Sequence, residues 1–213
     1  MKHRRLSRRE MFELCITRGS LLTAVAAMSQ NSWLEAWQRA ERGALSPTSA
    51  DLLGPFHKKN APNVQVLRRP GDPGLPLRVI GTVRTTRDEG LPNATLEVWQ
   101  ADVKGRYDME GYRYRAKIRP SDDGAYWIET VMPGSYGDRP VRHIHYVVSA
   151  PGHKTLVTQA YFATDTFFGG DPDANYAKDG LVQHRELVRP VTLSERDGIA
   201  YAAITFDVVL EKV

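Results

Sequence analysis

Two histidines one residue apart, His143-Ile144-His145, are the first feature of this 213-residue chain that points to chemistry. They open the β-rich run His143–Ser149. On a strand, side chains i and i+2 share a face, so the two imidazoles can reach one ion. The spacing alone is weak, because two histidines on a half-buried strand also read as hydrogen-bonded structural residues. Sulfur adds nothing to it: the sole cysteine, Cys15, lies within the first 28 residues. A metal further along the chain must therefore be held by nitrogen and oxygen donors.

Four motifs surround the pair in a fixed order: Trp99-Gln100-Ala101-Asp102 with Gly105-Arg106-Tyr107; Asp123-Gly124-Ala125-Tyr126 with Pro133-Gly134-Ser135-Tyr136; Arg139-Pro140 with His143-Ile144-His145; and Ala150-Pro151-Gly152 with Thr158-Gln159-Ala160-Tyr161-Phe162. Over Leu53 to Asp165 this order resembles the intradiol ring-cleavage dioxygenases, the family of catechol 1,2-dioxygenase and protocatechuate 3,4-dioxygenase. The resemblance implies a mononuclear non-haem Fe(III) held by Tyr107, Tyr136, His143 and His145 in a β-sandwich. It also implies that a catechol or hydroxyquinol and O2 are the small-molecule partners and a cis,cis-muconate-type diacid the product. Tyr136 matches the tyrosine that leaves the iron and accepts a proton, Gln159 the active-site glutamine, and Arg139 the arginine that holds charge building on the ring. A homodimer is the implied assembly.

The donor types suit that role. Phenolate is a hard anionic ligand that favours a ferric ion, and imidazole is an accepted iron ligand. A trivalent cation lets phenols that titrate near 10 bind deprotonated. A guanidinium keeps its proton and so can face developing negative charge. One departure stands out: the family places a single residue between Arg-Pro and the first histidine, whereas Val141 and Arg142 make two here. One extra residue reverses a strand's facing unless a bulge absorbs it, so Arg142 competes with Arg139. Tyr112 and Tyr114 are alternative phenol donors or packing residues, and Gly54-Pro55-Phe56 resembles the family's pocket segment but also reads as packing. Two other functional classes remain open. Gly81-Thr82-Val83 with Gly90-Leu91-Pro92-Asn93-Ala94 resembles transthyretin-like binding modules, and a metal-binding relative without ring-cleaving activity is the other.

Strands must carry these residues. From Leu77 the apolar period is two, and Leu77–Val83 and Ala94–Val98, joined through Arg87–Gly90, read as a β meander. Further runs at Ala125–Val131, His143–Ser149, Thr155–Phe162 and Ala203–Leu210 complete an all-β, two-sheet sandwich over residues 53–213. Pro47, Pro55, Pro62, Pro70, Pro73 and Pro76 predict an extended, proline-rich arm before it. A capping box at Ser32–Glu35 predicts a short helix to Arg42, within a helix-and-linker segment 29–52. Asp171–Asn175 reads as a surface loop, and Glu195–Gly198 as a helical turn or polar loop.

The net charge of +4 resides in the first 28 residues, where six basic side chains face two acidic ones; the remainder holds 23 of each. A charge so placed gives no support for a nucleic-acid partner. With Arg8-Arg9 ahead of the apolar stretch Gly19–Met28, residues 1–28 read as a twin-arginine export leader that places the protein in the periplasm. A basic helix retained on a cytoplasmic protein is the other reading. No apolar run reaches the roughly 18 residues needed to span a membrane.

Overall fold

Strand β1 (Pro76–Thr85) turns sequence alternation into a buried face: Leu77, Val79, Val83 and Thr85 point into the core while Arg78 and Ile80 face out. The computed structural model describes residues 44–213 except Asp138 and the side chain of Arg196. The expected leader and the Ser32–Arg42 helix lie outside the described residues.

Strands β1, β4 (Ala125–Val131), β8 (Thr192–Arg196), β9 (Ile199–Thr205) and β10 (Val208–Leu210) form one sheet. Antiparallel β4 lines one edge of β1, and β9 and β10 share the other, both parallel to it. The handover falls at Phe206-Asp207, where the Phe206 N–H donates to the Ile80 carbonyl (2.8 Å) and the Asp207 carboxylate accepts from the Thr82 N–H (2.8 Å). The second sheet has the order β3 (Arg115–Ile118), β2 (Thr95–Gln100), β5 (His143–Ser149), β6 (Leu156–Phe162), β7 (Val188–Arg189). Between the sheets lie Val79, Leu96, Ile128, Ile144 and Val148, with the Tyr146 and Phe206 rings 4.9 Å apart across the layers. Each fully buried aliphatic side chain of this kind contributes about 1.5–3 kcal/mol by leaving water.

The expected two-sheet β-sandwich is therefore the fold, with three local corrections. Leu77–Val83 and Ala94–Val98 do not form a meander, because β1 and β2 lie in opposite sheets. Alternation identifies which face of a strand is buried but not which strand it bonds to. Glu195–Gly198 is a hairpin: β8 runs to Arg196, and Asp197 (φ 53°) and Gly198 (φ 73°) both take the left-handed conformation of a type I′ turn. Asp171–Asn175 holds a short helix, α1 (Pro172–Asn175), because the Asp171 carboxylate accepts from the Ala174 N–H (3.0 Å) and Pro172 suits the first turn. Among the described residues no helix is long and apolar enough to cross a membrane.

The segment Ala44–Leu75 has no strand, as its prolines predict, and is fastened by backbone bonds. Asp51 N–H donates to Val157 (2.9 Å), Lys117 N–H to Pro62 (2.9 Å) and Leu67 N–H to Glu129 (2.7 Å). The first two bonds tie the arm to β6 and β3 of the second sheet and the third to β4 of the first, and the stretch around Asp51–Phe56 so held covers the sheet face that becomes the site.

Candidate active site

Ile144, Tyr146 and Val148 occupy the core side of β5, so His143 and His145 project from the opposite side. Register aligns His145 with Trp99 on β2 and Gln159 on β6, with Arg115 of β3 beyond Trp99. His143 aligns with Tyr161. An antiparallel sheet face turned away from the core normally meets water. Here the arm and two loops cover it, leaving His143 2%, His145 1% and Gln159 0% exposed.

The loop after β2 delivers Tyr107 between two carboxylate-capped turns. Asp102 accepts from the N–H groups of Lys104 (2.8 Å) and Arg106 (2.9 Å), and Asp108 from those of Gly111 (2.8 Å) and Arg113 (2.8 Å). These backbone bonds, from Arg113 above all, hold the Asp108 carboxyl below its ordinary value of 3.8. A depressed value means stability present above 3.8 and lost as pH falls through the folded-state value. Asp108→Asn keeps only one of the two acceptor oxygens and drops the charge, leaving the Gly111 or the Arg113 N–H without its partner, so it is expected to cost about 1–2 kcal/mol at neutral pH. In urea titrations that gap should narrow as the pH is lowered from 3.8; an equal gap in acid would argue against the charge.

Tyr136 arrives on a tight turn in which Tyr136 and Arg139 exchange backbone bonds (3.1 and 2.7 Å). The Tyr107 hydroxyl lies 3.2 Å from His145 Nε2 and 3.4 Å from His143 Nε2, and the Tyr136 hydroxyl 3.4 Å from the same His143 nitrogen. Two oxygens and two nitrogens thus converge. Phe56 of the arm stacks on Tyr107 with centroids 4.2 Å apart, and Trp99 stacks on His145 at 4.8 Å. Gly54 (φ 69°) meets His145 so closely that a Cβ there would sit 3.1 Å from the ring carbon Cε1. Gly54→Ala is expected to destabilise the fold by about 1–2 kcal/mol, read as a lower urea midpoint.

The competition between arginines is decided by register. Arg139 is 8% exposed and its guanidinium donates to Gln159 Oε1 (3.0 Å) and Tyr161 Oη (3.1 Å). Arg142 turns away: its backbone N–H and Nε both donate to the buried carboxylate of Asp165 (2.8 and 3.2 Å). The additional residue is taken up before β5 begins, so the histidine facing is unchanged.

His143 Nδ1 lies 2.8 Å from the Val141 carbonyl. A carbonyl only accepts, so Nδ1 carries the proton and Nε2 presents its lone pair to the phenols. Burial, then the charge of Arg139, lowers the His143 pKa to about 3. Burial, then His143, also carries His145 well below its ordinary value, so both imidazoles are neutral. Tyr107 is pushed upward by burial first and by its hydrogen bond with Tyr136 next. Two neutral imidazoles beside a Tyr107 phenol that resists ionisation are what a hard cation would reverse. Among the described residues no group of three or more His, Cys, Asp and Glu forms a competing cation site. By donor chemistry the residues fit a ferric ion.

All six sequence-derived site residues, Tyr107, Tyr136, Arg139, His143, His145 and Gln159, therefore meet on one face. Tyr112 is exposed and donates to the Lys59 carbonyl, and Tyr114 packs in the core, so neither alternative phenol joins them. Tyr161, Asp51 and Arg115 also border the site and are not among the residues expected from the sequence. Tyr161 was within reach, since it follows Gln159 at i+2; Asp51 carried no local signal at all.

A family model described as Dioxygenase matches residues 52–212. The chlorocatechol 1,2-dioxygenase of Rhodococcus opacus is 27% identical over 194 residues, covering 77% of this chain and 72% of the relative. The hydroxyquinol 1,2-dioxygenase of Nocardioides simplex is 31% identical over 191 residues, 76% of this chain and 64% of that protein. Among solved structures, the dioxygenase domain of a dioxygenase and carbohydrate-binding fusion from Streptomyces sp. SirexAA-E superposes with TM-score 0.67 at 32% identity, over 79% of this chain and 100% of that one. The chain belongs to the family of intradiol ring-cleavage dioxygenases, which are oxidoreductases.

Proposed function

We propose that this chain binds a mononuclear ferric ion through Tyr107, Tyr136, His143 and His145 and cleaves a catechol-type diol, catechol or hydroxyquinol, with O2 to a cis,cis-muconate-type diacid. The observation that carries the reading is the convergence of both phenol oxygens on the imidazole nitrogens within 3.4 Å, on a covered sheet face. The ion would supply Lewis acidity and a template for the diol. The chain's own residues supply the remainder. Tyr136, on a two-residue turn and only half-buried, would hold the ion as a phenolate, and its oxygen would be the acceptor for a proton from the incoming diol. Arg139, fixed by Gln159, holds negative charge that develops on the ring. Phe56, Trp99 and the arm keep water from the histidines. A transthyretin-like binding module has no need of this tyrosine and histidine set.

Export is part of the same proposal. It is supported by Arg8-Arg9 and by the confinement of the net charge to residues 1–28, and a periplasmic signal in fractionated cells tests it.

The deciding experiment loads the protein with ferric iron and follows O2 uptake across catechol, substituted catechols and hydroxyquinol. Tyrosinate-to-iron charge transfer should colour the protein burgundy. A colourless protein with stoichiometric iron would sink the ligand assignment. A coloured protein that consumes no O2 would favour a metal-binding relative without ring cleavage.

A further inference from the structure

Arg139 is a buried cation with no ion-paired carboxylate among the described residues. One of its terminal nitrogens bonds to Gln159 and to the Tyr161 hydroxyl, while its buried Nε has no hydrogen-bond partner among the described residues. The Tyr161 hydroxyl has a single proton, and its donor distance to Asp51 Oδ2 is 3.0 Å against 3.3 Å to Gln159. Donation to the carboxylate is the stronger bond, because an ionised acceptor roughly doubles a hydrogen bond's strength. That orientation leaves the hydroxyl lone pairs free to receive Arg139. Asp51 is itself fixed: its N–H bonds to Val157 of β6, and its other carboxylate oxygen accepts from the Leu52 N–H (2.6 Å). Gln159 is held in parallel, with Nε2 donating to the Leu52 carbonyl (2.7 Å).

We infer that Asp51 and Tyr161 form a positioning relay: a carboxylate on the arm orients the Tyr161 hydroxyl, and that hydroxyl aims the Arg139 guanidinium at the cluster of Tyr107, Tyr136, His143 and His145. The inference rests on the proposed activity for its catalytic consequence, but the aiming itself is a property of the metal-free chain. It assigns the arm a part in the chemistry, since this covering segment also sets the direction of the charge beneath it. Tyr161 and Asp51 act through Arg139 and are positioning residues.

Two measurements test it. In metal-free protein labelled with ¹⁵N-arginine, the Arg139 Nε–H, assigned by its absence from Arg139→Lys, is expected to exchange slowly with solvent. Tyr161→Phe and Asp51→Asn should each speed that exchange at least about tenfold, the loss of one charge-assisted bond. In iron-loaded protein each variant should lower kcat for catechol about tenfold with KM held within about twofold, as befits a contact that matters only in the transition state. The double variant should fall no further than either single one. Unchanged exchange in Tyr161→Phe, or single effects that multiply in the double variant, would overturn the relay. A wild-type protein inert toward every catechol would count against the proposed activity instead, and the exchange measurement would then decide the relay alone. Unaltered thermal unfolding of Tyr161→Phe separates aiming from general loosening.

Discussion

His143→Ala is expected to abolish stoichiometric iron binding and with it O2 uptake on catechols. The His143 Nε2 atom is 3.4 Å from both phenol oxygens, the one donor atom in contact with each of the two tyrosines. Its tautomer is set by the Val141 carbonyl, so the lone pair costs nothing to orient on binding. Losing an outer-shell partner of a metal ligand costs roughly 10–100-fold in affinity or activity. Loss of a direct donor should exceed about 100-fold. The strand should survive, because β5 is bonded on both sides by β2 and β6, and unchanged far-ultraviolet circular dichroism would confirm it. Iron content by atomic absorption is the primary readout. Wild-type iron stoichiometry in a folded variant would remove His143 from the ligand set.

Arg139→Ala and Arg142→Ala are expected to separate cleanly. A pre-aimed donor facing charge that develops in a reaction is worth roughly 10²–10³ in kcat, and Arg139 fits that description: buried, fixed by Gln159 and Tyr161, its charge acting on Tyr107, His143 and His145. Its removal should lower kcat by about that factor, with substrate KM moving little. Arg142 pairs with Asp165, away from the cluster, and is about a third exposed. Its removal should leave kcat within about threefold and cost about 1–2 kcal/mol of stability, because Asp165 keeps its other bond to the Phe167 N–H. Steady-state kinetics with urea unfolding on both variants checks the pair. Equal kcat losses would mean that the arginine assignment is wrong.

That contrast also marks how far the sequence could carry the reading. His143 and His145 were legible because the period of a strand is two, so their shared facing follows from local geometry. Which arginine faces the cluster was not, since the additional residue between Pro140 and His143 could be absorbed by the loop or could turn the strand over. The loop absorbed it, held by the Asp165 carboxylate 23 residues away in sequence. The hairpin at Asp197-Gly198 was legible in principle, for Asp-Gly between two strands is a strong turn signal, and the polar run Ser194-Glu195-Arg196 before it obscured it.

The chain's composition and periodicities determined an all-β sandwich and a cysteine-free body, and its ordered motifs, by their resemblance to the intradiol dioxygenases, implied the set of tyrosine, histidine, arginine and glutamine side chains. Each of these is a matter of residue type and near-neighbour spacing. Tertiary structure alone decided that β1 and β2 belong to different sheets, that Arg139 rather than Arg142 joins the site, and that Asp51 reaches Tyr161. The physical reason is range. Side-chain facing is set within two residues by backbone sterics, whereas sheet partners and a carboxylate arriving from 110 positions away depend on how the whole chain packs to bury its core.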